Sequence, residues 1–433
     1  MWLIVQLLMI GVSLLLIIKA VRQTEYLPLI FVILAIWMRF VLSSLHQFTY
    51  PPLFAGFSIN ALASIGVAFI GLLLSKRYLI TSKYFILLYL FLIVMCISGL
   101  LNGELKGLIN NLVKWLYFLS LTLLMCDSYL KEGKDKSLYL LSYPFFLPIA
   151  LQLLSIPLGQ AKATEGDGSV SFIGGYNHEA AFSMILITYV FIVAMIEKPY
   201  AKLNWLKILI AVFGLLLANY RTSMIAVLPL ILFYIWLKPA GRLNPKDRML
   251  AITFMAFVVG SLLLLVSGQL AERFADIGIV LSEGDKLFIN PYYYSDDYKK
   301  LFSARVYIWS QYVYAYYQGG FLQHLFGFGP ESWSVVFNKY AHNTFISALY
   351  ELGVVGLFIL LLFIIKQLYL VVVSVNGISK FLMIGMIVGF ILLNLATMPL
   401  WNIEGLITFS VLVSQVYYIV VINRIEQIKA TSV

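Results

Sequence analysis

Residues 344–365 read TFISALYELGVVGLFILLLFII, with a single carboxylate, Glu351, and no Lys or Arg. A helix needs about 20 apolar residues to cross a hydrocarbon core of about 30 Å. In lipid, such a segment satisfies its own backbone only as a helix. The stretch therefore reads as a membrane span. Comparable apolar runs follow it at 381–399 and 405–423. Others precede it at 2–20, 25–43, 56–75, 84–101, 108–127, 138–158, 179–197, 205–220, 222–237 and 249–267. The expectation is an all-α, polytopic membrane bundle of 12–13 transmembrane helices, with residues 1–433 forming a single integral membrane domain. The pair 205–237 meets at a tight polar turn.

Composition agrees. The chain is 62% hydrophobic and 12% charged, with a mean hydropathy of +0.93. Soluble domains are nearer half apolar and a quarter charged, and this excess has no place inside a water-soluble core. Aromatics at 15% suit a protein with Trp and Tyr at two membrane interfaces. The first apolar run lacks a basic n-region and a small-residue cleavage site, so it reads as the first span rather than a removed signal. Cys96 and Cys126 have no CxxC partner and read as small core hydrophobes.

The net charge of +10 would suggest nucleic acid in a soluble protein, but the positions of the bases argue against it. They cluster in alternate connections: Lys19 and Arg22; Lys76, Arg77 and Lys83; Lys131, Lys134 and Lys136; Lys198, Lys202 and Lys207. The series continues with Lys238, Arg242, Lys246 and Arg248; Lys366 and Lys380; Arg424 and Lys429. The positive-inside rule puts all of these in the cytoplasm. The phase holds along the whole chain, with the N-terminus outside and the C-terminus inside. Nucleic acid is not an expected partner, and membrane lipid is. The protein is expected in the bacterial inner (plasma) membrane.

Residues 268–343 then form a large loop on the extracytoplasmic face, expected to contain short helices. It is far longer than a connector needs, and long loops on rigid scaffolds are where function concentrates. Three of its features and neighbours could carry chemistry. Arg221, in Asn219-Tyr220-Arg221-Thr222-Ser223, stands at the turn between two spans. A guanidinium there either snorkels to the interface or binds an anion bidentately. Arg305 opens a stretch, 304–318, that reads as an amphipathic helix with Trp309, Tyr312, Tyr316 and Tyr317 on it. Its aromatics would either pack at the interface or stack on sugar rings. His342 stands where the loop re-enters the membrane, as a helix-start residue or as a proton acceptor near neutral pH.

The run Gly327-Phe328-Gly329-Pro330-Glu331 is a tight turn without the Lys-Ser/Thr ending of a phosphate loop. His178, beside Glu179 at an outer helix start, is a substrate-binding candidate. His46 and His324 read as surface or interface residues. Arg39 and Lys114 lie inside spans, so each needs a partner or a water-filled cavity. No HExxH or paired CxxC is present, and no metal or cofactor is expected. Two arginines and a histidine suggest handling of a diphosphate and activation of a hydroxyl, as in glycosyl transfer from a lipid diphosphate.

The segment His342-Asn343, nine residues, Gly353, two residues, Gly356 resembles the HN-x9-G-x-x-G signature of bacterial O-antigen ligases and related Wzy-type polysaccharide polymerases. Arg305 with Trp309, the run Leu325–Gly329, Glu351-Leu352-Gly353 and the upstream Arg221-Thr222-Ser223 fit the same pattern over residues 170–365. The resemblance implies a GT-C-like, metal-independent, inverting glycosyltransferase. Its donor would be an undecaprenyl-diphosphate-linked glycan on the periplasmic side. Its acceptor would be another glycan, as in a polymerase of O-antigen, capsule or exopolysaccharide, or lipid A-core, as in a ligase. Arg221, Arg305 and His342 would be catalytic. Tyr220, His178, Trp309, Tyr312 and Asn343 would bind substrate. A chain-length regulator and a flippase would be companion proteins. The Arg-x10-Gly motifs of some O-antigen polymerases are absent after Arg221 and Arg305. A transporter is the competing class, against which stands the lack of an internal repeat or paired broken helices.

Overall fold

The computed structural model describes residues 1–54, 56–163, 170–238, 249, 253, 290–295, 299 and 304–431. It is a helical membrane bundle. The apolar segments form α1 (Trp2–Val21), α2 (Leu27–Ser44), α3 (Ile59–Leu74), α4 (Ile86–Leu101) and α5 (Leu105–Glu132). One broken span follows, built from α6 (Lys134–Leu141) and α7 (Phe146–Ser155). Then come α8 (Glu179–Met195), α9 (Asn204–Leu217) and α10 (Arg221–Leu237). The large loop contributes α11 (Arg305–Tyr317) and α12 (Phe321–Phe326). The bundle closes with α13 (Thr344–Ser374), α14 (Gly377–Ala396) and α15 (Ile403–Thr431).

Twelve of the thirteen expected spans coincide with these helices, and the thirteenth, 249–267, lies outside the described residues except for Met249 and Thr253. So does the part of the large loop at 268–289. Among the described residues, eight spans are long and apolar enough to cross a membrane, and four apolar helices are shorter. The shortest, α9, has 14 residues. At 1.5 Å per residue it rises about 21 Å, less than a full hydrocarbon core.

The helices sort by their surfaces. α8 buries nearly every residue and stands at the centre, with α5 and α15. A helix apolar all round is an interior helix. α1 leaves Leu7, Leu8 and Leu15 exposed, as a lipid-facing helix does. α10 and α14 pack most tightly, because Gly385 and Gly389 let the backbones meet. A Cβ at Gly389 would lie 2.0 Å from the Ala226 carbonyl oxygen, and one at Gly385 would lie 2.9 Å from the backbone of Leu230. Small residues four apart are the usual device for close helix approach in lipid. Cys126 is buried in the core and Cys96 packs against it.

Two short hairpins, β1 (Pro52–Phe54) with β2 (Phe57–Ser58) and β3 (Lys162–Ala163) with β4 (Val170–Ser171), are the strands among the described residues. At the end rich in Lys, Asp127 holds Lys76 at 2.8 Å and accepts from the Tyr26 hydroxyl at 2.5 Å. This ties the α1–α2 and α3–α4 connections to α5. The opposite end gathers the loop helices and the candidate residues.

Candidate functional site

Four helix starts meet at that end. Tyr220 is the N-cap of α10, and Arg221 is its first residue. Arg305 is the first residue of α11. His342 precedes Asn343, the N-cap of α13. His178 is the N-cap of α8, its Nδ1 accepting from the Ala180 amide at 3.1 Å. That bond places the proton of a neutral His178 on Nε2. Arg305 and Thr222 both act on the Tyr220 hydroxyl. The charge of Arg305 and the ring of His178 both act on His342, and Glu179 acts on Tyr220. The structure thus brings Tyr220, Arg305, His342 and His178 together from distant parts of the sequence, and α10 carries Arg221 to the same corner.

The backbone is strained where these residues sit. Asn219, Ala304 and His342 adopt left-handed conformations, with φ of 50°, 67° and 51°. Non-glycine residues in that region are held there by their surroundings and cluster at functional sites. Here Ala304 immediately precedes Arg305, His342 is itself a candidate, and Asn219 immediately precedes Tyr220.

The electrostatics are cationic. Helix N-termini carry partial positive charge and unpaired N–H groups, which suit an anion. Burial, then Arg305, His178 and Lys339, lower the His342 pKa to about 4. The imidazole is therefore neutral near pH 7 and available to accept a proton. Burial raises the Tyr220 pKa, while Arg305 and Thr222 pull it down. Glu179 is paired with Lys162 at 3.1 Å and accepts from Ser171 at 3.3 Å. Within one coordination distance of one another, the described residues hold no group of three or more His, Cys, Asp or Glu.

Three residues expected to bind substrate have other work. Asn343 Oδ1 accepts from the amides of Phe345 and Ile346, and its Nδ2 donates to the Leu395 carbonyl at 3.0 Å. Its amide caps α13 and fastens it to α14. Tyr312 is buried, stacked on Phe337, and donates to the Lys339 carbonyl at 3.1 Å. Trp309 Nε1 donates to the Ala341 carbonyl at 2.8 Å. Tyr312 and Trp309 therefore clamp the 339–341 backbone that presents His342. These bonds engage the Trp309 indole N–H and the Tyr312 hydroxyl.

The glycine signature has a mechanical cause. Gly353 breaks α13 with φ 68° and ψ −173°, a conformation open to glycine alone. A Cβ there would lie 2.3 Å from the Leu325 carbonyl oxygen. The broken turn lets the Gly-rich run dock as a strand would: the Phe328 amide donates to the Tyr350 carbonyl at 2.9 Å, and the Gly329 amide to the Glu351 carbonyl at 3.0 Å. Glu351 then organises the wall. Its carboxylate accepts from the Glu331 amide at 2.9 Å, from Trp401 Nε1 at 3.2 Å and from Ser347.

Beside the cationic corner lies a cavity of about 370 Å³, lined by His178, Tyr340, Trp333, Trp401 and the two intramembrane bases. Both bases have partners. Arg39 Nη2 lies 2.8 Å from Glu404 Oε1, and Lys114 Nζ lies 3.0 Å from Glu331 Oε1. Sequence reading assigned no role to Glu331, Glu351, Trp401 or Glu404. Glu351 and Glu404 sit inside apolar helices, and intramembrane carboxylates are a signal in themselves.

Residues 206–361 match the family model Wzy_C, whose description is O-antigen ligase. The matched stretch contains Arg221, Arg305, His342 and the glycine signature. The expected resemblance is borne out: this part of the chain is similar to the O-antigen ligase and Wzy-type superfamily. The chain is a multi-pass membrane protein, and the proteins its matched stretch resembles are in general glycosyltransferase-like ligases or polymerases that act on a lipid-linked glycan and an acceptor. No curated protein matches the chain.

Proposed function

We propose that this protein transfers a glycan from an undecaprenyl-diphosphate carrier to a sugar hydroxyl on the extracytoplasmic face of the plasma membrane. The carrying observation is the corner where Arg305, Tyr220, His342 and His178 meet at four helix starts. The guanidiniums of Arg221 and Arg305 would bind the diphosphate and stabilise the charge that grows on it. Neutral His342 would take the acceptor hydroxyl's proton. The acceptor oxygen then forms a bond to the anomeric carbon as the carbon–phosphate-oxygen bond breaks. The electron pair leaves on the diphosphate, and displacement from the opposite face inverts the anomeric centre. No step calls for a metal. Placement on the outer face follows from the alternation of Lys and Arg along the chain.

The first reading is polymerisation, in which one lipid-linked repeat unit accepts the chain carried by another. The second is ligation to lipid A-core, favoured by the printed description of the matching family. Purified protein in nanodiscs, given only lipid-diphosphate-linked repeat unit and EDTA, separates them. A ladder of lengthened chains is the polymerase result. A single product that needs added lipid A-core is the ligase result. If neither forms from substrate that a known enzyme of the class accepts, glycan transfer is wrong.

A further inference from the structure

The cavity of about 370 Å³ differs in character from the cationic corner beside it. Its charged walls are already paired, Arg39 with Glu404 and Lys114 with Glu331. Arg39 also donates to Asn60 Oδ1 at 2.5 Å, and Ser43 donates to the same Glu404 oxygen as Arg39. The ionic groups therefore sum to zero, and the space selects against a charged occupant, which would unbalance a pair at low dielectric. Its remaining surface mixes aromatic and amide groups with Ile185, Met398 and His178. Trp333 is half-buried and meets Tyr340 edge-on, with ring centroids 6.0 Å apart. Trp401 is fixed by its bond to Glu351. Flat rings beside hydrogen-bonding side chains suit a sugar, whose C–H face is apolar and whose rim is polar. The size falls in the ordinary range of small-ligand sites, about 300–1,000 Å³.

We propose that this cavity is the subsite for one uncharged sugar ring of the acceptor, with its face on Trp333 and its hydroxyls on Asn60 and the Lys114–Glu331 pair. The inference rests on the proposed glycan transfer. The acceptor side is indicated by Tyr340, which lines the cavity and lies with its ring 3.9 Å from His342, the group that would take the acceptor's proton. The two ion pairs balance the charge of the cavity wall, so the subsite discriminates against acidic sugars.

Full-length protein in nanodiscs would be examined by saturation-transfer NMR with methyl hexosides, methyl N-acetylhexosaminides and a methyl hexuronoside. Neutral glycosides should receive saturation that excess inorganic diphosphate does not displace. Trp333→Ala and Asn60→Ala should each weaken the signal at least fivefold, and Trp333→Phe should retain most of it. Size-exclusion profiles of the variants report folding. The subsite is refuted if no neutral glycoside is contacted, if both alanine variants bind as the parent does, or if the hexuronoside is preferred. Arg305→Ala separates the two levels: it should lower glycan assembly by about 10²–10³-fold and keep the glycoside signal. Assembly by Arg305→Ala at the parental rate would sink the transfer reading, while the NMR result would still decide the cavity.

Discussion

The ring of Tyr340 lies 3.9 Å from the imidazole of His342, and Tyr340 is also a wall of the cavity that contains the Arg39–Glu404 pair. One short segment, 339–343, thus joins the cationic corner to the cavity with paired charges. Trp309 and Tyr312 of α11 hold that segment from behind by its carbonyls. Movement of α11 would move His342 with it, so loop packing and chemistry are coupled.

Arg305→Ala should lower turnover by about 10²–10³-fold, the usual loss when one donor to a developing negative charge is removed. Arg305→Lys should recover part of the activity, because charge remains but the fork geometry is lost. Arg221→Ala should behave similarly. All three variants should reach the membrane at parental levels, as shown by immunoblotting of membrane fractions beside the glycan assay. Parental turnover in Arg305→Ala would remove it from the reaction.

The pKa of His342, held at about 4 by burial and then by Arg305, His178 and Lys339, sets the pH response. The neutral form is the active one, so kcat/KM should stay flat from pH 8 down to about 5. An unperturbed histidine would give an inflection near 6.5. An inflection there that disappears in His342→Gln would show that the free imidazole is not depressed. Stability follows the same linkage. Between pH 6.5 and 4 the unfolded chain binds the proton that the folded chain refuses. Stability therefore falls as pH is lowered through that window and is unaffected by His342 above it.

Arg39→Ala leaves Glu404 buried without its partner and should destabilise the protein by about 3–5 kcal/mol. The double substitution Arg39→Met with Glu404→Leu removes both charges and should recover most of that loss. Thermal unfolding in one detergent at fixed protein concentration compares the three. Equal losses in the single and double variants would mean that the pair contributes shape and not charge.

Gly353→Ala places a methyl group against the Leu325 carbonyl and demands a glycine-only backbone from alanine. The strain is about 1–3 kcal/mol, and its relief would push the 327–331 run off α13. Lower thermal stability and loss of activity together are expected. Glu351→Gln is milder, since an amide oxygen still accepts from Glu331 and Trp401. Full activity in Gly353→Ala would show that the docked run does not position the site.

The sequence by itself determined the bundle. Bilayer thickness fixes span length, and the alternation of Lys and Arg fixes the phase, so both appear as local patterns. The residue types that would handle a diphosphate were visible too, at Arg221, Arg305 and His342. The tertiary structure decided the partnerships. Arg39 finds Glu404 on the last helix, Lys114 finds Glu331 in the loop, and Glu351 joins Trp401 to the Gly-rich run. Asn343 caps α13, and Tyr312 bonds the backbone at Lys339. Periodicity and charge patterning report the solvent that each segment meets. They carry no record of which distant segment it meets, and a neutral chamber made by pairing opposite charges is a property of that meeting alone.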